Sequence, residues 1–332
     1  MTLIIPQSKY DSAHSREYPA LVFENEPEAL YRFRHFRVSW LFNTPLHVAH
    51  QGASKVVTFV LADAQTQSEV HGIFHLFMEE EKGVSPYRAS FGSFEVAECV
   101  SHAHFSDWLT FIESFAQTQG IRSIEIRHYP NCYHPARSTF IRRGLLRHHF
   151  EIVKSLDNQF IEVKKGDFEK SIHASERRRL RKCLRAGFQF EEWQNPPAGP
   201  VYEFIQANRQ QLGYRLSFSF EQLSEWLKVF PEHFRVFCVN DADTIASLTL
   251  TVRVGEKVLY NFCPADNLSY RTFSPAVLLH KGLYEYAENE GIPILDLGVS
   301  VDAEGLPKPG LRRFKHNLGA KDSEKYVFFK TL

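Results

Sequence analysis

The chain has 332 residues, enough for about two domains of ordinary size. Apolar residues make up 43% of it, including 29 Phe and 13 Tyr, which excludes an intrinsically disordered chain. The 39 Lys and Arg residues balance the 39 Asp and Glu residues. This balance argues against a dedicated nucleic-acid binder, although it permits a local basic site.

The cysteines and the first segment indicate the compartment. The 5 cysteines form no Cys-x-x-Cys pair, which is typical of free thiols in a reducing cytoplasm. The N-terminal MTLIIPQSKYDSAHSREYP has no long apolar core behind a basic end, so we expect no signal peptide. No stretch approaches the roughly 20 apolar residues that span a bilayer. We therefore predict a cytoplasmic protein without membrane insertion.

Residues 1–28 are expected to form an extended N-terminal lead-in, and residues 29–156 a first domain. Short β-rich runs come first in that domain: FRHFRVSWLF (33–42), KVVTFVLA (55–62), VHGIFHLFM (70–78) and ASFGSFEVA (89–97). A helical stripe of apolar residues then covers Phe105–Gln119, and Gly120 ends it. The strand IRSIEIR (121–127), a helix near Thr139–Leu146 and a strand at 149–154 follow.

Residues 157–332 are expected to form a second domain. It begins with strand QFIEV (159–163), a basic helix over Phe168–Ala186 and strand FQFEEW (188–193). Two helices follow, at Val201–Leu212 and from Ser219, where Ser219 and Gln222 form a capping box. The rest is predicted as three strands (FRVFCV, TIASLTLTVRV, KVLYNFC), a helix at 275–289 opened by Pro275, strand IPILDLGV, helix LRRFKHNL and strand KYVFF.

A helix–glycine–strand unit occurs twice in this order. Aligning Gly120 with Gly291 places Ala116 on Ala287, Ile121 on Ile292, Glu125 on Asp296 and Ile126 on Leu297. Such units are common in α/β proteins, so coincidence is one explanation. The matching order of the following elements favours a tandem duplication in which the first copy is shortened.

The element order of the second half resembles the acetyltransferase fold of the GNAT superfamily, and two such copies in one chain resemble the FemAB-like transferases. The resemblance covers roughly residues 30–332. It rests on SPYRASFGSFE (85–95), ERRRLRKCLRAGF (176–188), LYNFCPADNLSYRTFSPAVLLHKGLYEYA (259–287), LDLGVS (295–300) and GLRRFKHNLGAK (310–321). It implies an α/β fold of two mixed sheets flanked by helices, with a shortened copy at 29–156 and a complete copy at 157–332.

The resemblance also implies where an acyl donor binds. Strands KVLYNFC and ILDLGV would splay apart to admit it, and a donor phosphate would lie at the N-terminus of the helix that begins near Ser274. The loop DNLSYRTFSP before this helix lacks the glycines of the acetyl-CoA pattern. Its side chains are predicted to bind the donor instead: Ser269, Tyr270, Arg271, Thr272 and Ser274. The alternative is an ordinary turn with a helix cap.

The donor is expected to be a co-substrate, either an acyl-CoA or an aminoacyl-tRNA, with no permanently bound cofactor. A tRNA is then a possible partner, and the acceptor would be a small-molecule or peptide amine. The basic run ERRRLRKCLR is interpreted either as a solvated helix face or as a surface that follows phosphates. Histidine spacing indicates no metal site, and neither a GxSxG elbow nor a Walker loop occurs.

Asp296 is the residue most out of place, because it lies in an otherwise apolar strand. It is predicted to act as a base or to recognise the amine, and the alternative is a structural salt bridge to Lys315 or Arg312. The other residues assigned to the pocket from the family's layout are Tyr260, Asn261 and Lys315, and Tyr214 and Arg215 would line an acceptor site.

The sequence therefore predicts an N-acyltransferase or aminoacyltransferase whose complete second copy carries the site. The competing hypothesis is a catalytically silent GNAT-fold binding protein. The hydrogen bonding between the two splayed strands distinguishes them, because fully paired strands leave no cleft for a donor.

Overall fold

The computed structural model describes residues 3–4, 18–33, 39–63, 69–166, 168–302 and 305–332. These residues form two compact units. Unit 1 contains the described residues of Met1–Leu156 together with Glu324–Leu332, and unit 2 is Asp157–Ser323. The C-terminal residues that the sequence assigned to the second domain thus lie in unit 1.

The strands, in chain order, are β1 (Leu3–Ile4), β2 (Ala20–Glu24), β3 (Val56–Ala62), β4 (Val70–Glu79), β5 (Lys82–Ser85), β6 (Glu95–Val96), β7 (Ser123–Arg127), β8 (Glu151–Glu162), β9 (Gln189–Trp193), β10 (Phe234–Asp241), β11 (Thr244–Gly255), β12 (Val258–Asp266), β13 (Ile294–Val299) and β14 (Lys321–Thr331).

The helices are α1 (Pro45–Ala49), α2 (His102–Thr118), α3 (Pro135–Arg147), α4 (Phe168–Ser171), α5 (Ala174–Arg185), α6 (Ala198–Gln211), α7 (Phe220–Val229), α8 (Pro275–Asn289) and α9 (Pro309–Asn317). Short 3₁₀ segments lie at Pro27–Arg32, Leu41–Asn43, Asn131–Tyr133 and Leu268–Tyr270.

In unit 1 the sheet runs β1, β2, β3, β4, β5, β7, and β7 pairs on its other edge with the end of β14. The β5–β7 pair is parallel and its neighbours are antiparallel. Helix α2 packs its apolar stripe on this sheet, with Phe105, Trp108 and Leu109 almost fully buried. Burial of that stripe stabilises the helix, since propensity alone does not hold a helix in water.

In unit 2 the sheet runs β9, β10, β11, β12, β13 and the end of β8. All of these pairs are antiparallel except β12–β13, which is parallel. Helix α8 is the central helix of this unit's core, where Val277, Leu279 and Leu283 are buried. The mixed α/β sheets flanked by helices confirm the predicted fold class.

The helix–glycine–strand unit has the same backbone geometry in both copies. Gly120 and Gly291 both take positive φ, at 80° and 66°. Ile121 N then donates to Ala116 O (3.0 Å), and Ile292 N donates to Ala287 O (2.8 Å). This is the left-handed helix stop in which the chain turns back to satisfy a carbonyl of the last turn.

Several predicted elements differ from the structure. The run 33–42 was expected to be a strand, but Leu41–Asn43 is a 3₁₀ turn leading into α1, because Thr44 caps a helix that Pro45 begins. Residues 34–38 of that run lie outside the described residues. The strands expected at 149–154 and 159–163 are one strand, β8. The basic helix is split at His173, which caps α5.

Candidate active site

Strands β12 and β13 pair over a few residues and then diverge, and we call the gap between them the fork. They pair at only three positions, Val258 with Ile294, Leu259 with Leu295 and Tyr260 with Asp296. Beyond these positions, β12 continues through Asn261–Asp266 while β13 continues through Leu297–Val299 without pairing to it. The prediction that these two strands splay apart is confirmed, and the fork leaves backbone polar groups free to meet a ligand.

A β-bulge turns β13 away from β12. On the other edge of β13, Asp296 pairs with Phe160 and Gly298 pairs with Gln159, so Leu297 is an extra residue in the ladder. Gly298 has φ of 70°, a conformation that glycine adopts without steric cost. A bulge with a left-handed glycine bends its strand, which accounts for the divergence.

Asp296 and Lys315 hold this bulge from two sides. The Asp296 side chain is 1% exposed, and its Oδ1 accepts hydrogen bonds from Gly298 N (2.8 Å) and Asn158 Nδ2 (2.6 Å). Lys315 Nζ donates to Gly298 O (2.8 Å) and Val299 O (2.9 Å). Burial lowers the pKa of Lys315 to about 8, against the opposing effect of the Asp296 charge. The two residues therefore meet at the bulge, as the sequence analysis placed them in one pocket.

Tyr260 and Asn261 lie where the fork opens. The half-buried Tyr260 ring faces Gly298, because a Cβ added to Gly298 would lie 3.2 Å from its Cε2. Asn261 is buried and locked, with Oδ1 accepting from Thr249 Oγ1 (2.6 Å) and Nδ2 donating to His280 Nε2 (3.2 Å). Burial lowers the pKa of His280 to about 4, so its ring is neutral. Its Nδ1 donates to Ala276 O, which leaves Nε2 as the acceptor.

The loop between β12 and α8 holds the five predicted donor-binding residues. Ser269, Arg271 and Thr272 are exposed, whereas Tyr270 and Ser274 are half-buried. Tyr270 packs on Phe188 with ring centroids 5.6 Å apart, which anchors the loop. Ser274 takes φ of 57° at the N-cap of α8, and no side chain caps that helix. A left-handed serine costs about 1 kcal/mol or more, and such strain is often found at functional sites.

The basic helix α5 borders this loop. Lys182 Nζ donates to Thr272 O (2.6 Å), and Cys183 Sγ donates to Phe273 O (3.1 Å). The exposed cations of α5 recur at helical spacing on the same side as Lys182, and we call them the cationic stripe: Arg178, Arg181, Lys182 and Arg185. The sequence analysis treated the loop and the basic run as separate candidates, but the fold brings them together.

The predicted acceptor residues lie in the loop between α6 and α7. Tyr214 is half-buried, its hydroxyl is bonded by Lys308 Nζ, and the same Nζ lies 4.5 Å from the ring centroid. Lys308 is the residue before α9, and its N donates to Ser300 O (2.9 Å). Tyr214 is thereby held beside the segment that follows β13. Arg215 is exposed.

The sequence analysis missed several residues that build the site. Gly298 had a signal, because a glycine inside a strand pattern suggests a bulge. Asn158, Thr249, His280 and Lys308 had none, since each meets its partner only through the fold. Arg312, the other proposed partner of Asp296, forms ion pairs with Asp157 (3.1 Å) and Asp322 (2.7 Å).

Among the described residues, no group of His, Cys, Asp and Glu side chains has the arrangement of a metal site. In the same part of the chain, no helix is long and apolar enough to cross a membrane. The cysteines at 99, 132, 183, 238 and 263 are free thiols.

Comparison with known proteins agrees with this geometry. Residues 171–316 match the family described as "Acetyltransferase (GNAT) domain", and this range contains the fork, the loop and α5. No curated protein matches the chain in sequence.

Three solved structures share the fold. FemX superposes with a TM-score of 0.64 at 14% identity, over 83% of this chain and 87% of that chain. The C-terminal domain of a putative lysylphosphatidylglycerol synthetase from Agrobacterium fabrum gives 0.53 at 13% identity, over 86% of both chains. A tandem GNAT protein from the clavulanic acid biosynthesis pathway gives 0.51 at 13% identity, over 92% of this chain and 93% of that one.

These likenesses extend over both units, so they cover the tandem arrangement and not the second copy alone. Residues 171–316 are therefore similar to a GNAT acetyltransferase domain, and the chain has a fold like those of FemX and of the tandem GNAT protein.

Proposed function

We propose that unit 2 transfers an acyl or aminoacyl group to an amine, with the donor lying in the fork between β12 and β13. The observation that carries the proposal is the strand pairing, which stops after Tyr260 and Asp296. The match to a GNAT acetyltransferase domain supports the same chemistry and gives no support to a binding protein without activity.

The fork supplies what acyl transfer needs. Beyond Tyr260 the edge of β12 has no strand partner on the β13 side in the described part of the chain, so an amide-like donor can pair with it by strand addition. Pro264 has no N–H, and the carbonyls of Pro264 and Asp266 accept hydrogen bonds from Arg209 and Asn208. We therefore place the donor near Asn261 and Phe262, where a backbone N–H would stabilise the oxyanion that forms when the amine attacks. Tyr260 is the polar side chain at the apex of the fork. We assign it to contact the reacting carbonyl or its leaving group.

Asp296, Asn261 and Lys315 act as positioning residues in this proposal. The Asp296 carboxylate is buried and satisfied by Gly298 N and Asn158 Nδ2, which leaves it directed at the bulge and away from solvent. Lys315 clamps the carbonyls on the other side of the same bulge. Their function is to keep the fork open at a fixed angle.

For the donor we favour an aminoacyl-tRNA over an acyl-CoA. The loop before α8 has no glycine, and the carbonyls of Thr272 and Phe273 are bound by α5, so this backbone is held in one conformation that presents carbonyls to α5. The exposed Arg271 and the cationic stripe add positive charge along one surface, longer than a single pyrophosphate requires. Such a row of cations suits a nucleic-acid backbone.

The acceptor would enter beside the segment that follows β13, where Lys308 holds Tyr214. Arg215 is exposed on the same loop. This placement supports the predicted acceptor site and favours an amine that carries an anionic group nearby.

The test compares donors directly. Full-length protein is titrated with bulk aminoacylated tRNA and, separately, with acetyl-CoA. Transfer to added amines is measured as the amount of radiolabelled acyl group that leaves the donor. We expect tRNA binding with a linear dependence of log K on log salt, and weak CoA binding. Tight CoA binding without tRNA binding would reverse the donor assignment, and binding of neither would refute the proposed function.

Two variants test whether the cationic stripe contacts the tRNA phosphates. Arg178→Ala/Arg181→Ala/Arg185→Ala should lower the salt slope by roughly 2–3, about 0.7–0.9 for each lost phosphate contact. Lys165→Ala/Lys257→Ala removes exposed cations away from α5 and should leave the slope unchanged.

A further inference from the structure

Unit 1 contains a small pocket that the acyl-transfer site does not use. It lies between α2 and α3, has a volume of about 230 Å³, and is lined by His102, Ala103, Ser106, Gly144, Arg147 and His148. The lining combines a hydroxyl, two imidazoles and a guanidinium. It therefore contains polar groups that can take part in proton transfer and bind an anion.

Within this pocket a serine, a histidine and a glutamate form a chain of contacts. Ser106 Oγ lies 2.7 Å from His148 Nε2, and His148 Nδ1 lies 3.4 Å from Glu113 Oε1. The side chains of His148 and Glu113 are 13% and 16% exposed, so the pair is shielded from water but reached from the pocket. Lys330 Nζ lies 2.7 Å from the other oxygen, Glu113 Oε2, and keeps the carboxylate in place.

The roles in this chain follow from donor and acceptor chemistry. With the His148 proton on Nδ1, the Nε2 atom accepts the hydrogen bond from the Ser106 hydroxyl. Glu113 Oε1 accepts no hydrogen bond from the described residues, but at 3.4 Å it lies within ion-pair distance of His148 Nδ1. In this arrangement a histidine can remove the proton of a serine nucleophile, and the nearby carboxylate stabilises the imidazolium that forms. It occurs here on a helix, without a GxSxG elbow.

The pocket also contains groups that stabilise negative charge. His102 and Ala103 belong to the first turn of α2, where Ser101 Oγ caps His104 N (3.2 Å) and the helix dipole is positive. Arg147 lines the same pocket. Burial and the positive charges of Arg147, Arg143 and Arg137 lower the pKa of His102, which indicates a cationic surround.

From the geometry we infer that Ser106, His148 and Glu113 form a second catalytic site, which hydrolyses small esters or thioesters that carry an anionic group. Ser106 Oγ attacks the carbonyl carbon while its proton passes to His148 Nε2. The alcohol or thiol leaves with that proton, and an acyl-Ser106 remains. Water then attacks the acyl group with His148 as base, which releases the carboxylic acid and regenerates Ser106.

The anionic preference follows from Arg147 and from the position of the pocket beside the first turn of α2. Unit 1 contains a second serine–histidine pair with which Ser106 and His148 can be compared: Ser138 Oγ lies 3.0 Å from His128 Nε2. Both residues of that pair are almost completely buried, and the second ring nitrogen of His128 is bound by Ser93 Oγ (2.8 Å), not by a carboxylate. Ser138 is therefore a serine–histidine pair that no substrate reaches.

The experiment uses the full chain and a fluorophosphonate probe, with peptide mass spectrometry as the readout. We expect an adduct on Ser106 and none on Ser138. Ser106→Ala should remove the adduct, and His148→Gln should slow labelling at least about 100-fold, since an unactivated serine is a weak nucleophile. Melting curves of each variant establish that it is folded.

Turnover is measured with 4-nitrophenyl acetate and with the 4-nitrophenyl monoester of succinic acid. The anionic ester should be preferred about 10-fold or more in kcat/KM, and Arg147→Ala should abolish that preference while the neutral ester is still hydrolysed. Glu113→Gln should lower kcat with little change in KM, because it acts through His148. An unlabelled Ser106 in folded wild-type protein, or labelling that survives His148→Gln, would overturn the inference.

Discussion

The two copies of the helix–glycine–strand unit share the same helix stop but differ in the strand that follows it. The alignment that pairs Gly120 with Gly291 pairs Arg127 of β7 with Gly298 of β13. In unit 2 this position is the bulge that opens the fork. In unit 1 the β7 ladder with β14 runs without any register shift, and the β5–β7 pairing continues through Ser85 and Ile126.

The Arg127 side chain also binds the segment that follows β5. Its guanidinium donates to Pro86 O (2.6 Å), Tyr87 O (3.2 Å) and Ala89 O (3.5 Å), which holds the segment after β5 against the strand. The position aligned with Asp296 is Glu125, whose side chain is 44% exposed and pairs with Arg127 at 3.8 Å. The aligned position, glycine in unit 2 and arginine in unit 1, is thus one of the differences between the open copy and the closed one.

The largest effect is expected when Gly298 of unit 2 is replaced by arginine, the residue at the aligned position in unit 1. Gly298→Arg places a side chain at positive φ and 3.2 Å from the Tyr260 ring, so we expect at least about 2 kcal/mol of destabilisation and loss of donor binding. Urea unfolding and donor titration measure the two effects. Gly310→Arg is the control, because a Cβ there meets open space. A Gly298→Arg protein that binds donor normally would refute the role of the bulge.

Replacing Arg127 in unit 1 should lower the stability of the protein without changing its affinity for the donor. Arg127→Ala leaves the carbonyls of Pro86, Tyr87 and Ala89 without their cationic donor, which we expect to cost about 2–3 kcal/mol of unfolding free energy. Donor affinity, measured by the same titration, should not change. Acquired donor binding in unit 1 would show that the arginine alone blocks a second site.

Arg271 lies in the exposed loop before α8 and should act on the donor alone. Arg271→Ala is expected to weaken donor binding by roughly 1.5–3 kcal/mol, the size of a hydrogen bond to a charged group. The melting temperature without donor should hardly move, because Arg271 is exposed. Arg271→Lys should restore part of the affinity, since lysine keeps the charge but lacks the planar guanidinium group. Equal affinity in all three proteins would place the phosphate on the cationic stripe.

The last effect is a pH dependence, and it concerns Lys315, which clamps the bulge. Its folded pKa of about 8 lies below its ordinary value of 10.5, so between these values the unfolded chain binds a proton that the folded chain has lost. The Lys315 contribution to stability therefore rises with pH across this window. Relative to Lys315→Met, the wild-type slope should be steeper by up to about 1.4 kcal/mol per pH unit.

Urea unfolding of both proteins at pH 8, 9 and 10 measures that slope. Lys257→Met, which removes an exposed lysine, should leave it unchanged. Parallel curves for wild type and Lys315→Met would mean that Lys315 keeps its proton in the folded state.

Local signals predicted the elements of this fold well. Ser274-Pro275 and Gly291 predicted the helix that the structure places at Pro275–Asn289, and the capping box of Ser219 and Gln222 forms as expected. The splayed strands followed from the element order and its resemblance to the GNAT fold. These features depend on residues close together in the chain, where spacing carries the information.

What the sequence did not predict depends on contacts between distant residues. Asp296 was recognised as unusual, but its partner Asn158 lies on another strand, which no spacing reveals. The contact of Lys182 with Thr272 joins two segments that were interpreted separately. Ser106, His148 and Glu113 likewise come together only when α2 packs beside α3.

The path of β14 has a consequence for synthesis. Ser123–Arg127 in unit 1 pairs with Val327–Thr331, so the ribosome makes all of unit 2 before it makes the strand that covers the β7 edge. Domains in most chains fold in the order of synthesis, with the N-terminal one first. Here the N-terminal unit remains an unfinished sheet with an open edge until unit 2 has emerged, and an open edge of this kind can pair with the wrong strand.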